Sequence, residues 1–344
     1  MNDIHFLVAA SNSGGDMAFV QTVLGPIDAA ELGPTLMHEH ILFSYPGDEL
    51  DPTGTWTRAE ALAVATERME QLKEHGVKTF VDPCAIEMGR DPELMAEVSQ
   101  RTGMQIVCAT GFYKEEAGLP YYWRVRSAEE VAELYLLEIE KGIASTGIRP
   151  GIIKFASSDP ITEHERTVMA AAAMAARESG LPIITHCENS IGAEVQQDLF
   201  TENGADLART MIGHQDQADK AQQLIDIAAR GSFVAVDRIG LEILSPDDHR
   251  VAMIKAVLDA GAGDRLCLSQ DHICSLRSPR FPFKIPEHLQ AVAEQLLPFV
   301  LDQIYRRPHT FIFTDFLPKL EAAGVARATF DAILTDNPRR LFGG

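Results

Sequence analysis

A chain of 344 residues, 46% hydrophobic and 23% charged, has enough apolar material for a large core, which excludes a disordered chain. Its formal charge of -20, with no stripe rich in Lys and Arg, excludes nucleic acid as a partner. Five cysteines, Cys84, Cys108, Cys187, Cys267 and Cys274, are odd in number and scattered through apolar runs, a pattern of reduced thiols that excludes a disulfide framework.

Residues 1–20 read as an N-terminal extension whose apolar stretch is too short for a secretory signal, and no later run reaches membrane-spanning length. The expectation is a cytoplasmic protein with no membrane partner. From 21 to 344 the pattern is that of one domain. Strand candidates follow at Thr35–His40, Val77–Cys84, Gln105–Gly111, Gly151–Ser157, Leu181–Glu188, Thr210–Gln215, Ser232–Arg238 and Arg265–His272. Helical patterns lie between them, among them Arg58–His75, Glu129–Gly142, His164–Ser179 and His249–Ala260, several ending in Gly. Strand and helix in regular alternation predict a parallel sheet, and eight units predict closure into a (β/α)8 TIM barrel. An open doubly wound sheet would carry a Gly-rich first turn, and no G-x-G-x-x-G follows the first strand. After the eighth strand, the long segment 273–309 is expected to cover the mouth of the barrel, with a helix around Leu289–Tyr305.

Polar side chains recur where these apolar runs finish, at the end of a barrel that carries chemistry. His38 and His40 are two apart, so on a strand both leave from one face while Glu39 points away. Lys154 follows two isoleucines in a strand that should be buried, where an unpaired ammonium is costly. His186, His214 and Asp271 end the later runs. Lys154 and His186 are 32 residues apart, His186 and His214 28, and His214 and Asp271 57, about two units. Each residue alone reads as a structural histidine, a Schiff-base lysine or a helix cap. Six at barrel periodicity point to one metal centre.

The sequences LMHEH, GIIK, ITH, IGH and SQD, in this order, resemble the phosphotriesterase family of the amidohydrolase superfamily, as do TVLGPIDAAELGPTLMHEH and the closing LTDNPRRLF. The resemblance implies two divalent cations. His38, His40 and Asp271 would hold the more buried one, and His186 and His214 the other. Lys154 would be carboxylated to N6-carboxylysine and reach both. The N and O donors suit zinc first, and also Mn, Co or Fe. A water shared by the cations would be the nucleophile, with Asp271 accepting its proton. Such a centre suits a small neutral or weakly anionic lactone or ester. A phosphotriester is the alternative, an N-acyl amide a third, and a barrel that binds without catalysis a rival of another class, opposed by the retention of all six residues. A homodimer is implied by the family alone.

Tyr113 and Arg238 match a tyrosine and an arginine that lactonases of this family place in the pocket, and so join Asp271 as candidate catalytic residues. Core packing for Tyr113 and a salt bridge for Arg238, to Asp237 or another mouth carboxylate, are the structural alternatives. Beyond Asp271 the segment is longer than in those lactonases and carries Arg277, Arg280 and Lys284, which could receive an anionic substrate group, with Phe281 and Phe283 as an apolar wall. Cys187 and His272 should face away from the centre by strand alternation, nothing activates Cys274, and His5, His75, His164, His249 and His288 read as solvated.

Overall fold

Parallel strands and intervening helices alternate along the chain; the structure, a computed structural model, describes residues 18–278, 280, 287–301, 303–304 and 307–343. An antiparallel hairpin of β1 (Phe19–Thr22) and β2 (Gly25–Asp28) comes first. It is followed by β3 (Thr35–Leu36), β4 (His40–Phe43), β5 (Thr79–Asp82), β6 (Gln105–Gly111), β7 (Ile152–Ser157) and β8 (Ile183–Cys187). The series ends with β9 (Thr210–Ile212), β10 (Phe233–Val236), β11 (Leu266–Leu268) and β12 (Ile273–Leu276). Eight of these strands pair in the order β11-β10-β9-β8-β7-β6-β5-β3, all parallel, with the helices outside: a nearly closed TIM barrel.

The ring closes at a seam between its first and last strands. There β4 pairs in parallel with β12, Asp271 N donates to His38 O at 3.0 Å, and His40 N donates to His272 O at 2.8 Å. The seam divides the expected strand Thr35–His40 between β3 and the first residue of β4, and it stops the expected strand Arg265–His272 at Leu268, with β12 beginning just beyond it. Between β3 and β4 the chain bonds on both sides: Glu39 N donates to Val81 O of β5 at 3.0 Å, while Ser269 Oγ accepts from His38 N at 3.0 Å. Glu39 does point away from the two histidines, but into the seam. One of its carboxylate oxygens accepts from Ser269 Oγ and Gln270 N, both at 2.8 Å, and the other from His272 N at 2.9 Å. Burial pushes Glu39 up to about 7 against the pull of these three bonds. Elsewhere the expected strands lose residues at their ends: Thr210–Gln215 stops at Ile212 and Ser232–Arg238 at Val236, and only Gln105–Gly111 stands unchanged.

Local sequence explains the helices. Thr57 caps Arg58–Glu74, and capping boxes of Ser127 with Glu130 and Thr162 with Glu165 open Ala128–Lys141 and Glu163–Ser179. Inside the barrel, alternate residues face the axis, so Val107 and Ala109, Ile152, Ile184, Met211, Phe233 and Ala235 form one apolar cluster, which Leu341 and Phe342 of the last helix, Arg327–Gly343, join. Outward residues such as Ile153, Phe155 and Cys187 pack among other clusters. Gly111, at φ +109°, has no room for a side chain: a Cβ there would lie 2.0 Å from Lys154 O. All five cysteines are free, and no helix among the described residues is long and apolar enough to cross a membrane.

Replacing Glu39 by Gln turns an NH2 toward a backbone N–H that now has an acceptor. It is expected to destabilise the fold by roughly 1–3 kcal/mol, the cost of an unsatisfied buried polar group. Urea unfolding of the two proteins checks this, and equal midpoints would remove Glu39 from the closure of the barrel.

Candidate metal centre

The inner faces of the strands change from apolar to polar toward the mouth. Lys154 stands two residues beyond Ile152 on β7, and His186 two beyond Ile184 on β8. His214 and Asp271 follow β9 and β11 in the left-handed backbone region, at φ 57° and 49°. That conformation is costly for a residue with a side chain and persists where the surroundings impose it. His38 and His40 flank Glu39 at the seam.

These residues meet around one small cavity. Nε2 of His38, His40 and His214 lie 3.6, 3.2 and 3.8 Å from the Asp271 carboxylate. The rings of His38 and His214 stack at 4.8 Å, and His186 meets His214 edge-on at 4.4 Å. Lys154 and all four histidines line the cavity with Asp271; the lysine and the histidines are nearly fully buried, and the Asp271 side chain is 17% exposed. Each imidazole is held from behind by a carboxylate. Asp237 takes His38 Nδ1 at 2.8 Å and His214 Nδ1 at 2.9 Å, Asp82 takes His40 Nδ1 at 3.1 Å, and Glu188 lies 3.1 Å from His186 Nε2. One nitrogen of each ring is thereby occupied, and the other is left for the cavity.

The electrostatics favour neutral donors at three points. Burial, then the charge of Lys154, holds His38 down at about 3. Burial also keeps His186 well below its ordinary value, with the charge of His214 adding to it. Lys154 is pushed down to about 8 by burial, against the opposing charges of Asp271 and Asp237, and its ammonium has no hydrogen-bond or ion-pair partner among the described residues. His40 behaves differently. Burial pushes it down, but bonds to Asp271 and Asp82 win and hold it well above the usual range. Asp271, resisted by burial, is drawn well below the usual carboxylate range by His38, His214, His40 and Arg238. Imidazoles of which two are held neutral, a carboxylate and an easily deprotonated lysine suit divalent cations, and the chain carries candidate metal-binding groups here.

Tyr113 and Arg238 both reach this cavity. Tyr113 OH lies 3.2 Å from His186 Nδ1, and Arg238 Nε donates to Asp271 Oδ2 at 3.1 Å. Arg238 thus pairs with Asp271, not Asp237. The cavity measures about 210 Å³ and is otherwise walled by apolar side chains, among them Phe43, Tyr45, Leu241, Leu244, Ile273 and Ile304. Ile273 and Ile304 bring segment 273–309 to its edge, and the expected helix there runs Gln290–Leu301. Phe281, Phe283, Lys284 and His5 lie outside the described residues. A wider cleft of about 740 Å³ opens on the outer rim around Ile191 and Lys220, away from all six residues.

Arg277 lies over Trp56, and Arg280 pairs with Asp51 at 3.5 Å; neither lines the cavity. Cys187 is buried, its thiol pushed up to about 12, and His272 faces away to bond His309 at 3.0 Å. His75 and His288 are exposed and His164 pairs with Glu115, but His249 is partly buried, bonded to Ala218 O. The supporting carboxylates Asp82, Asp237 and Glu188 were not anticipated. Their signal was present in the first two, acids that finish the apolar runs TFVD and FVAVD.

Comparison with known proteins places the chain. The Phosphotriesterase family profile matches residues 18–342. A phosphotriesterase homology protein of Mycobacterium tuberculosis is 32% identical over 336 residues, covering 95% of this chain and 98% of its own. An aryldialkylphosphatase of Saccharolobus solfataricus is 33% identical over 320 residues, covering 92% and 96%. A mutant PTE-like lactonase of Deinococcus radiodurans superposes with a TM-score of 0.83 at 38% identity, covering 94% of this chain and 100% of that one. The chain belongs to the phosphotriesterase family and is a metal-dependent hydrolase.

Proposed function

We propose that this protein hydrolyses small lactones or carboxylic esters with a binuclear metal centre. In this reading His38, His40 and Asp271 hold one divalent cation, His186 and His214 the other, and a carboxylated Lys154 reaches both. The observation that carries it is the convergence of four carboxylate-backed imidazoles and Asp271 around a buried lysine without a partner among the described residues. Carboxylation needs the neutral amine, which burial makes accessible by drawing Lys154 down to about 8, and it replaces an unpaired buried cation by an anion.

The cations, when bound, supply Lewis acidity for the ester oxygen and ease the ionisation of water. Asp271, kept ionised by its neighbours, accepts the proton of the attacking water. Arg238, donating to Asp271 Oδ2, orients that carboxylate from the side away from His38 and His40. Tyr113, whose hydroxyl burial keeps protonated, reaches the cavity beside His186 and is a donor for an oxygen of the substrate. The apolar walls favour a neutral ring or a short acyl chain and expel water on binding. The likeness to a PTE-like lactonase supports lactones, and that to an aryldialkylphosphatase supports phosphotriesters as the second reading. Zinc is the expected metal, and a cytoplasmic homodimer the expected state.

Purified protein is expected to hold two cations per chain and to turn over γ- and δ-lactones faster than a phosphotriester. Lys154→Ala is expected to lose both metal and activity, the latter by at least about 10³-fold. Elemental analysis beside a substrate panel checks this: dominant phosphotriester turnover promotes the second reading, and metal-free, inert parent protein sinks the mechanism.

Asp271→Asn is expected to lower kcat by about 10²–10⁴-fold, the contribution of a positioned proton acceptor. Steady-state kinetics on metal-replete protein decides, and an unchanged kcat assigns the proton elsewhere. Asp237→Ala removes the support of His38 and His214 together. A loss of about 10–100-fold in metal affinity is expected for both cations, measured by chelator competition. Loss confined to one cation would contradict the shared role.

A further inference from the structure

Three of the four imidazoles present the same nitrogen to the cavity. His38, His40 and His214 rest Nδ1 on Asp237 and Asp82, carboxylates no more than 1% exposed, and turn Nε2 inward. His186 is reversed. Its Nε2 faces Glu188 Oε2 at 3.1 Å, and its Nδ1 faces the cavity, 3.2 Å from Tyr113 OH. The partner is also of another kind: the Glu188 side chain is 27% exposed and stands only two residues further along the chain, in the turn Glu188–Ser190.

Glu188 does not hold this position alone. The Oε2 that faces His186 also takes the ammonium of Lys114, which pairs in addition with Glu116 Oε1 at 2.6 Å. Lys114 directly follows Tyr113 on the segment after β6. One mouth segment therefore touches both sides of the His186 ring, the tyrosine at Nδ1 and the lysine through Glu188 at Nε2.

An imidazole that turns over about its bond to Cβ exchanges Nδ1 with Cδ2 and Nε2 with Cε1, so the partners of the nitrogens decide whether a nitrogen or a carbon faces the cavity. With Glu188 in place, the Nε2–H has a charged acceptor and Nδ1 is left inward. Without it, only the tyrosine hydroxyl remains as partner, and that group accepts or donates equally well. Unlike Asp82 and Asp237, Glu188 is partly in water, so salt screens its pairing.

We propose that Glu188 is a positioning residue that holds the His186 ring with Nδ1 toward the cavity, that Lys114 fixes Glu188, and that one of the two cations depends on this partly exposed pair while the other does not. This rests on the metal-centre reading above.

The test uses the metal alone as probe. Parent protein, Glu188→Ala, Glu188→Gln and Lys114→Met are loaded with Zn(II), equilibrated with graded chelator, and measured for metal per chain. Melting of the metal-free proteins separates any loss of fold. In Glu188→Ala one cation of the two is expected to leave at about 10–100-fold lower chelator, with the other unchanged. Glu188→Gln, which still accepts from Nε2–H, is expected to stay within a few-fold of the parent, with Lys114→Met between Gln and Ala. Added salt is expected to loosen the Glu188-dependent cation of the parent but to have no such effect in Glu188→Ala. Release of both cations from Glu188→Ala at parental chelator overturns the proposal. So does a Gln variant as weak as Ala, which would make charge and not orientation the cause. A parent that binds no cation overturns the metal-centre reading itself, whereas a parent with two cations and an unaffected Glu188→Ala overturns this inference only.

Discussion

Closure of the barrel at the seam is the constraint on which everything else depends. Glu39 and His272 are 233 positions apart, yet one carboxylate ties the strand that carries His38 and His40 to the segment that carries Asp271. If the sheet were open, His38 and His40 would lie at one edge and Asp271 at the other, and these three could not approach a single ion. The entropy of joining the chain ends is thus offset by bonds that at the same time assemble the site.

Once closed, the mouth concentrates charge that the interior resists. Asp237 serves His38 and His214 at once, and its own place is fixed from outside the ring. Asp216 accepts from Asp237 N at 3.2 Å and from Arg238 N at 3.0 Å, and fully buried Arg250 donates to Asp216 at 2.8 Å. Arg250 also donates to Asp247, Ser245 O and Leu241 O, so a cation with no access to water is nevertheless well provided with acceptors. The support of the centre therefore extends from the strand ends into the helix Asp247–Asp259. Lys154 contrasts with Arg250, a buried amine among histidines with no such acceptors among the described residues.

Most of the fold was legible because each unit repeats one pattern. Gln105–Gly111 is a strand buried on both faces, and such runs announce themselves by continuous apolar sequence. The helices were equally readable from their hydrophobic period and the glycines that close several of them. The strand ends were not, since His214 and Asp271 leave the ladder in left-handed conformations that no periodicity encodes. The six candidates meet at one place because spacing in units of the barrel survives such local departures. What spacing cannot convey is which residue stands behind which: Asp82 and Glu188 read only as parts of the strands Val77–Cys84 and Leu181–Glu188, and Asp237 only as a salt-bridge partner for Arg238. Their roles depend on side-chain direction after the strand has ended. His309, which meets His272 at the back of the seam, lies too far along the chain for any local signal to link the two.

The absence of a side chain at Gly111 also has a bearing on how this enzyme could change. With Lys154 O lying where its Cβ would be, the wall beside the lysine is bare backbone, and no substitution there can widen or narrow the site without moving β7. Leu241, Leu244 and Ile304 belong instead to connecting segments at the rim. The catalyst and the choice of substrate are consequently separable: the first is cast in the spacing of the strands, the second is written on replaceable loops, and new specificities can be grafted onto the rim while the reactive floor stays as it is.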